Sequence, residues 1–559
     1  MFENKTKTLE FILVSAFFML ALAGTVNAQT GAVNFFVESN FDVSGRSKIE
    51  AVSIKTSSNV YFYIEKSWWD AQYQLKKDEI LKNIDDLSVE FENNIYPNLT
   101  NVFGNERKPG IDGDNKITVL FHPMKGSEIG YFRTNDGYEK LQVSTSNEKE
   151  MVYMSADLLT SPKLKIALAH EFVHLITFNQ KNIAFNVEED TWLNEARADY
   201  SSTILGYDNQ FEMSNLQSRI KDFVESSSDS ITEWRGSKYD YASVSLFVHY
   251  LVDHYGIKIL SDSLRFKYVG IESINYALEK NGYKEKFSEI FTNWTIALAL
   301  NNCSLGPKYC YLDKNLNDIR VAPNINFLPS GNVSLSFINT AKDWSINWQK
   351  FIGGSGDLKV EFLIKNSLKF TVPYIIEDKQ EEHTIKFLTF NNSGIGTFSI
   401  PNFSTYYKSL IIIPVLQTSS LGVDGTGPVY SYNYIISSNK RDLVADQILM
   451  QQLLAQIESL KKQIADIIAQ RAGGGTTQTN ACQITKNLSY GMSNSSDVRC
   501  LQTFLKNQSG IFYSGLVSGY FGPLTKASVI KFQQKYVLSA TGVVDEQTRI
   551  KINQILNAG

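Results

Sequence analysis

The sequence is sparing with three residue types: 6 His, 4 Cys and 12 Pro in 559 residues. Four cysteines are too few for a small scaffold held together by disulfides. There is no basic excess either, since 54 Lys and Arg stand against 58 Asp and Glu, for a net charge of −4. That excludes a strongly basic nucleic-acid binder, because phosphate contacts need positive charge. After the N-terminal stretch, no apolar run is long enough to cross a bilayer. Aromatic residues, in contrast, make up 12%, too much apolar surface for extensive disorder. At roughly 100–200 residues per domain, the length implies about three to five domains.

The N-terminus has its own character. Lys5 and Lys7 precede an apolar run from Phe11 to Gly24, followed by Val26-Asn-Ala28. A basic flank, a short apolar core and small residues before a cleavage point describe a secretory signal over 1–28. The run is shorter than a membrane span, which argues against an uncleaved anchor. No stable transmembrane segment is expected after cleavage, and the mature chain is expected to be secreted. Export gives the cysteines an oxidising compartment. Four allow three pairings, and the local pairs Cys303–Cys310 and Cys482–Cys500 are the economical choice. A zinc knuckle is disfavoured by the lack of any C-x-x-C.

Along the chain the periodicity changes several times. Asn59–Ile64 and Lys116–Phe121 have the β-branched and aromatic enrichment of strands, and Lys76–Tyr96 has helical spacing between them. Gly110-Ile-Asp-Gly-Asp-Asn115 resembles a calcium loop without the glutamate that should close it, so a tight acidic turn is expected. Residues 161–300 read as helices. Residues 325–438 alternate with period two, as in Leu358–Phe362 and Thr384–Phe390, and read as an antiparallel β-sandwich. Leu443, Met450, Leu453, Ile457, Leu460, Ile464 and Ile467 follow a heptad pattern within 441–471. That fits a short coiled coil, with oligomerisation through the seam, or a solitary helical stalk. A Gly- and Thr-rich linker occupies 472–480.

The chemistry concentrates at Ala169-His-Glu-Phe-Val-His-Leu175. His170 and His174 are four apart, so on a helix they share a face and can bind one Zn²⁺. Glu171 is displaced around that helix, where it can act on water rather than bind metal. Ser161 and Pro162 read as the N-cap and first position of the helix. A catalytic zinc site needs a third protein ligand and one open position. Thr191-Trp-Leu-Asn-Glu-Ala-Arg-Ala-Asp-Tyr200 supplies it on a second helix, with Glu195 as ligand. Asp199, four residues on, can accept a hydrogen bond from the free nitrogen of a zinc histidine. The bland reading of Glu195, Arg197 and Asp199 is a solvated helical face.

These motifs resemble a family. H-E-x-x-H followed after about twenty residues by N-E-x-x-x-D is similar to the gluzincin pattern of thermolysin-like metallopeptidases. HEFVH with WLNEARADY looks most like the hyicolysin-type secreted bacterial peptidases. The resemblance covers roughly residues 60–320. It implies one catalytic Zn²⁺ held by His170, His174 and Glu195, with Glu171 as general base. It further implies an α+β zincin-like metallopeptidase domain over 29–320, β-rich first and helical after. Related enzymes stabilise the oxyanion with a Tyr or His from the helical half. Tyr241, just before an apolar helix, is the favoured counterpart; Tyr239, His249 and His254 compete, the two histidines being expected on an exposed helix side. An extended peptide substrate could add to a sheet edge beside the active-site helix. Glu150–Ser155 is either that edge strand or a buried one.

Residues 481–559 contain an internal echo, Gly519-Tyr-Phe-Gly-Pro-Leu-Thr525 and Gly542-Val-Val-Asp-Glu-Gln-Thr548, each followed by a helix. DVRCLQTFL, GYFGPLTKASVIKFQ and GVVDEQTRIKI resemble the small three-helix peptidoglycan-binding domain of bacterial wall hydrolases. The resemblance implies peptidoglycan as a partner and names no binding residue. Eight Lys or Arg against three acids give this segment +5 and leave −9 for residues 1–480. Three functions are compatible with this sequence: a wall-tethered zinc endopeptidase acting on proteins, the same site acting on wall peptides, or a non-catalytic wall-binding adhesin.

Overall fold

The computed structural model describes residues 31–126, 128–365, 368–418, 427–439, 443–472, 482–508, 511 and 517–558. The expected signal segment 1–28 and nearly all of the expected 472–480 linker lie outside these residues. The described chain divides into two compact units, one ending at Asp442 and one beginning at Leu443.

The first unit opens with strands β1 (Val33–Phe36), β2 (Lys48–Thr56) and β3 (Val60–Glu65), then helices α1 (Lys66–Asp70), α2 (Gln74–Glu90) and α3 (Tyr96–Phe103). Strands β4 (Ile117–His122), β5 (Gly130–Phe132) and β6 (Met151–Ser155) complete one sheet of order β1-β2-β3-β4-β6-β5. The two parallel pairs, β3–β4 and β4–β6, lie in its middle. Every residue of β4 and β6 is buried, as expected of strands covered on both faces. The Glu150–Ser155 stretch is therefore internal, and the edge strand is β5. The Gly110–Asn115 stretch is the expected turn: Gly110 N–H donates to the Asp114 carbonyl, and Ile111 N–H to the buried Glu150 carboxylate.

Seven helices follow: α4 (Leu164–Phe178), α5 (Thr191–Ile204), α6 (Asn215–Glu225), α7 (Lys238–Tyr255), α8 (Lys258–Leu264), α9 (Gly270–Lys280) and α10 (Phe287–Leu300). Helix α4 is apolar almost all round, which makes it a core helix rather than a surface one. It begins at Leu164, not at Pro162. Ser161 instead caps the preceding turn, its hydroxyl accepting from Lys163 N–H. The disulfide Cys303–Cys310 closes the loop after α10.

Strands β7 (Asn324–Leu328), β8 (Val333–Ala341), β9 (Gln349–Gly353), β10 (Asp357–Leu363), β11 (Phe370–Thr371), β12 (Pro373–Asp378), β13 (His383–Phe387) and β14 (Ile395–Ile400) come next. After the short helix α11 (Phe403–Tyr406) come β15 (Tyr407–Ile412), β16 (Val415–Leu416) and β17 (Tyr430–Asn439). They form a four-stranded sheet β14-β10-β17-β8, a five-stranded sheet β13-β12-β15-β9-β7 and the small pair β11-β16. Phe351, Phe362, Ile376, Ile412 and Tyr434 from the two larger sheets share one core. The arrangement is not wholly antiparallel, because β7 runs parallel to β9.

This β segment also shares a core with the helices before it. Trp344, Ile346, Trp348, Ile375, Ile411, Ile413 and Val415 belong to the same buried cluster as α4, α7 and α10. Trp344 stands edge-on to Phe287 and Phe291, with ring centroids at 4.9 and 5.4 Å. Trp348 Nε1 donates to the Thr295 carbonyl at 3.0 Å, and Gln417 Nε2 to the Ser288 carbonyl at 2.9 Å. Trp344→Ala should therefore cost about 3–5 kcal/mol, the usual loss for a buried Trp. Thermal melts followed by circular dichroism and by Trp fluorescence should shift together. Separate transitions for helices and strands would contradict the shared core.

In the second unit, helix α12 (Leu443–Ala472) carries the heptad residues. Met450, Leu453, Ile457, Leu460 and Ile464 are all about half exposed or more. Helices α13 (Ser496–Lys506), α14 (Pro523–Lys535) and α15 (Glu546–Ala558) pack around Leu501, Phe521, Phe532 and Val544, and Cys482 is bonded to Cys500. The internal echo is a repeated clasp. Gln502 donates to Thr525 Oγ1 and the Tyr520 carbonyl and accepts from Gly519 N–H. Gln533 does the same with Thr548 Oγ1, the Val543 carbonyl and Gly542 N–H. Among the described residues no helix is long and apolar enough to cross a membrane.

Candidate metal centre

Helices α4 and α5 pack side by side and bring His170, His174 and Glu195 together. His170 Nε2 lies 3.1 Å from Glu195 Oε2, His174 Nε2 3.6 Å from the same oxygen, and the two ring nitrogens 3.1 Å apart. Donor atoms about 2.0–2.1 Å from a tetrahedral zinc stand about 3.3 Å from one another, so these spacings fit that ion. Two imidazole nitrogens facing each other beside a carboxylate also call for a cation between them. Burial works against charge on His174, but the Glu195 carboxylate overrides it and lifts the imidazole to about 9. Partial burial works against charge on Glu195 as well, yet the histidines hold its carboxyl well below the usual range.

Glu171 is buried, and burial raises its carboxyl above the ordinary value, with His174 and His170 opposing. Its neighbour is the edge strand: a Cβ on Gly130 would stand 2.9 Å from Glu171 Oε1 and 2.9 Å from the Tyr153 carbonyl. Only glycine lets the β5 backbone pass this close to the carboxylate. The sequence reading did not single out Gly130, because its reason is a tertiary contact across forty residues.

Glu195, Arg197 and Asp199 are not a solvated face. Arg197 is fully buried, donating to Glu189 at 2.7 Å and to Ser263 Oγ at 2.8 Å. Asp199 does not bond a motif histidine. Its Oδ1 accepts from Arg219 Nη2 at 2.7 Å and Asn215 Nδ2 at 3.0 Å. Despite burial, Arg219 holds its carboxyl below the ordinary value. The polar group against His174 is Asn194 instead. His174 Nδ1 and Asn194 Oδ1 are both buried with no hydrogen-bond partner among the described residues.

Tyr241 lies inside the first turn of α7 rather than before it. Its ring centroid is 6.3 Å from that of His170 and 4.8 Å from that of Trp234, and the Arg219 guanidinium sits 4.8 Å over its face. Burial, then the Glu195 and Glu171 carboxylates, push its phenol upward, so it stays a proton donor. The competitors are placed elsewhere. Tyr239 is paired with Glu225 under Lys238. His249 is buried between Thr203 Oγ1 at 2.9 Å and the Ser245 carbonyl at 2.8 Å, and half-buried His254 meets the Cys310 carbonyl at 3.0 Å. Neither histidine is on an exposed face. Arg219 and Trp234, which frame Tyr241, carry no local motif and were legible only in the fold.

Two segments of the chain have known counterparts. One is homologous to a bacterial metalloprotease, and the other, residues 494–552, matches the family model described as "Putative peptidoglycan binding domain". The metalloprotease is Neutral metalloprotease ShpI of Staphylococcus hyicus, 30% identical over an alignment of 248 residues that covers 40% of this chain and 53% of that protein. The chain thus spans about half the length of this curated relative. Among solved structures, a pre-peptidase C-terminal domain of a Bacillus anthracis collagenase and the Aeromonas hydrophila lysozyme inhibitor PliG each match 21% of the chain. They cover 95% and 98% of those chains at 10% identity and a TM-score of 0.14, too low to bear on the fold.

Proposed function

We propose that the chain is a secreted zinc endopeptidase, built on a zincin-like domain with a β-sandwich beside it and held at the cell wall by its C-terminal module. The observation that carries this reading is the triad His170, His174 and Glu195 with Glu171 beside it, set against the open edge strand β5. The similarity to a neutral metalloprotease and the family match at residues 494–552 support it.

Bound by the triad, zinc would supply a Lewis acid for the scissile carbonyl and acidify a water molecule. Glu171, with its raised carboxyl, takes the proton of the attacking water and returns it to the leaving nitrogen. Tyr241 keeps its proton and donates a hydrogen bond to the developing oxyanion. Arg219, fixed by Asp199, braces the Tyr241 ring. An extended substrate adds to β5, whose backbone passes Glu171 at Gly130.

The test is metal content together with proteolysis. Purified protein should hold about one zinc per chain and hydrolyse a casein-type substrate. No bound zinc, and no activity after zinc is added, would leave only a binding protein. A second reading keeps the same site with wall peptides as substrate, and the peptidoglycan-binding match favours it. Release of peptides from purified wall without cleavage of protein would decide for it.

A further inference from the structure

The repeated clasp of the C-terminal module separates what the fold requires from what it does not. Gly519, Tyr520 and Phe521 in the first copy stand where Gly542, Val543 and Val544 stand in the second. The glycines give their N–H groups to the clasp glutamines, and Phe521 and Val544 fill the core. Segment 488–492 pairs with both copies. Leu488 exchanges hydrogen bonds with Val544, Phe521 N–H donates to the Met492 carbonyl at 2.7 Å, and Gly491 N–H to the Phe521 carbonyl at 3.0 Å.

The middle position gives the clasp only its backbone carbonyl, and its side chain serves neither clasp nor core. The second copy fills it with half-buried Val543, so a large aromatic ring at Tyr520 is surplus to the scaffold. Tyr520 is 44% exposed nonetheless. On the adjoining segment, next to Gly491 whose N–H bonds the Phe521 carbonyl, lies Tyr490, 57% exposed. The Arg499 guanidinium lies against Gly519, 3.0 Å from where a Cβ would stand. Two adjoining exposed rings and a cation form a surface with apolar faces and polar edges, like a pyranose ring. Contiguous exposed apolar surface of this kind marks interaction sites, and rings with a polar handle suit a partner that is part apolar and part wet.

We propose that Tyr490 and Tyr520 form the glycan-stacking site of the module, taking sugar rings of the peptidoglycan glycan strand, with Arg499 facing carboxylates of the attached peptides. This assignment rests on the wall-binding reading of the module. It predicts binding that depends on ring faces and outlasts salt, whereas attraction from the module's net positive charge would be screened.

The test is co-sedimentation of the full chain with purified wall sacculi stripped of anionic polymers, at low and at high salt. Tyr490→Ala and Tyr520→Ala should each weaken retention roughly ten-fold, and the double variant more. Tyr490→Phe and Tyr520→Phe, which keep the ring faces and lose only the phenol oxygens, should stay close to the parent. Val537→Ser, an exposed apolar site elsewhere in the module, should change nothing, and melting curves of all variants should coincide. Parent binding with unimpaired Ala variants would overturn the stacking site while leaving the wall-binding reading intact. So would equal loss in the Phe and Ala variants, or complete loss of parent binding at high salt. A parent that fails to sediment with sacculi would overturn the wall-binding reading itself.

Discussion

Glu171→Gln is expected to lower kcat/KM for a protein substrate by about 10²–10⁴-fold, the range supplied by a positioned acid–base group. Zinc content and melting temperature should stay unchanged. Gln is nearly isosteric, so it fits the tight space against Gly130. It carries no charge for His170 and His174 to counter, and it cannot take a proton from water. The burial that raises the Glu171 carboxyl is therefore wasted on the amide. Zinc analysis with steady-state kinetics on the same preparation checks this. Undiminished proteolysis by the Gln variant would remove Glu171 from the mechanism.

The second large effect concerns the third ligand. Glu195→Ala should bring bound zinc below detection after dialysis and abolish hydrolysis, while the helices stay folded. Glu195 is the carboxylate that both imidazoles face, at 3.1 and 3.6 Å. Without it, two neutral nitrogens remain for a divalent cation, one fewer than the three protein ligands of catalytic zinc sites. Glu195→Gln should fail in the same way, because a neutral amide oxygen does not replace a carboxylate. Retention of about one zinc per chain by either variant would mean that the ligand set is wrong.

The parts of this site that were legible in the sequence are those built from spacing along one helix. His170 and His174 share a face by the four-residue rule, as do Glu195 and Asp199, and rarity of histidine sharpened the first pair. The partner of Asp199 was not legible. It comes from α6, twenty residues on, and nothing in Arg219 or its neighbours marks it locally. Gly130 is hidden for the same reason. The period-two pattern announced the strands of the β segment, but not that one of its sheets would cover the helices. One signal for that was present: Leu410-Ile-Ile-Ile413 and Tyr374-Ile-Ile376 are apolar without alternation, the mark of strands buried on both faces.

The core shared by helices and strands bears on how the molecule would age among proteases. A nick between the Cys303–Cys310 disulfide and β7 would sever the chain, but not the packing of Trp344 on Phe287 and Phe291 or the bonds of Trp348 and Gln417 to α10. The two fragments would stay docked with the triad intact, so cleavage there would show on a denaturing gel and not in turnover. The smallest piece able to leave with its core covered runs from the first strand of the sheet to the last strand at Asn439.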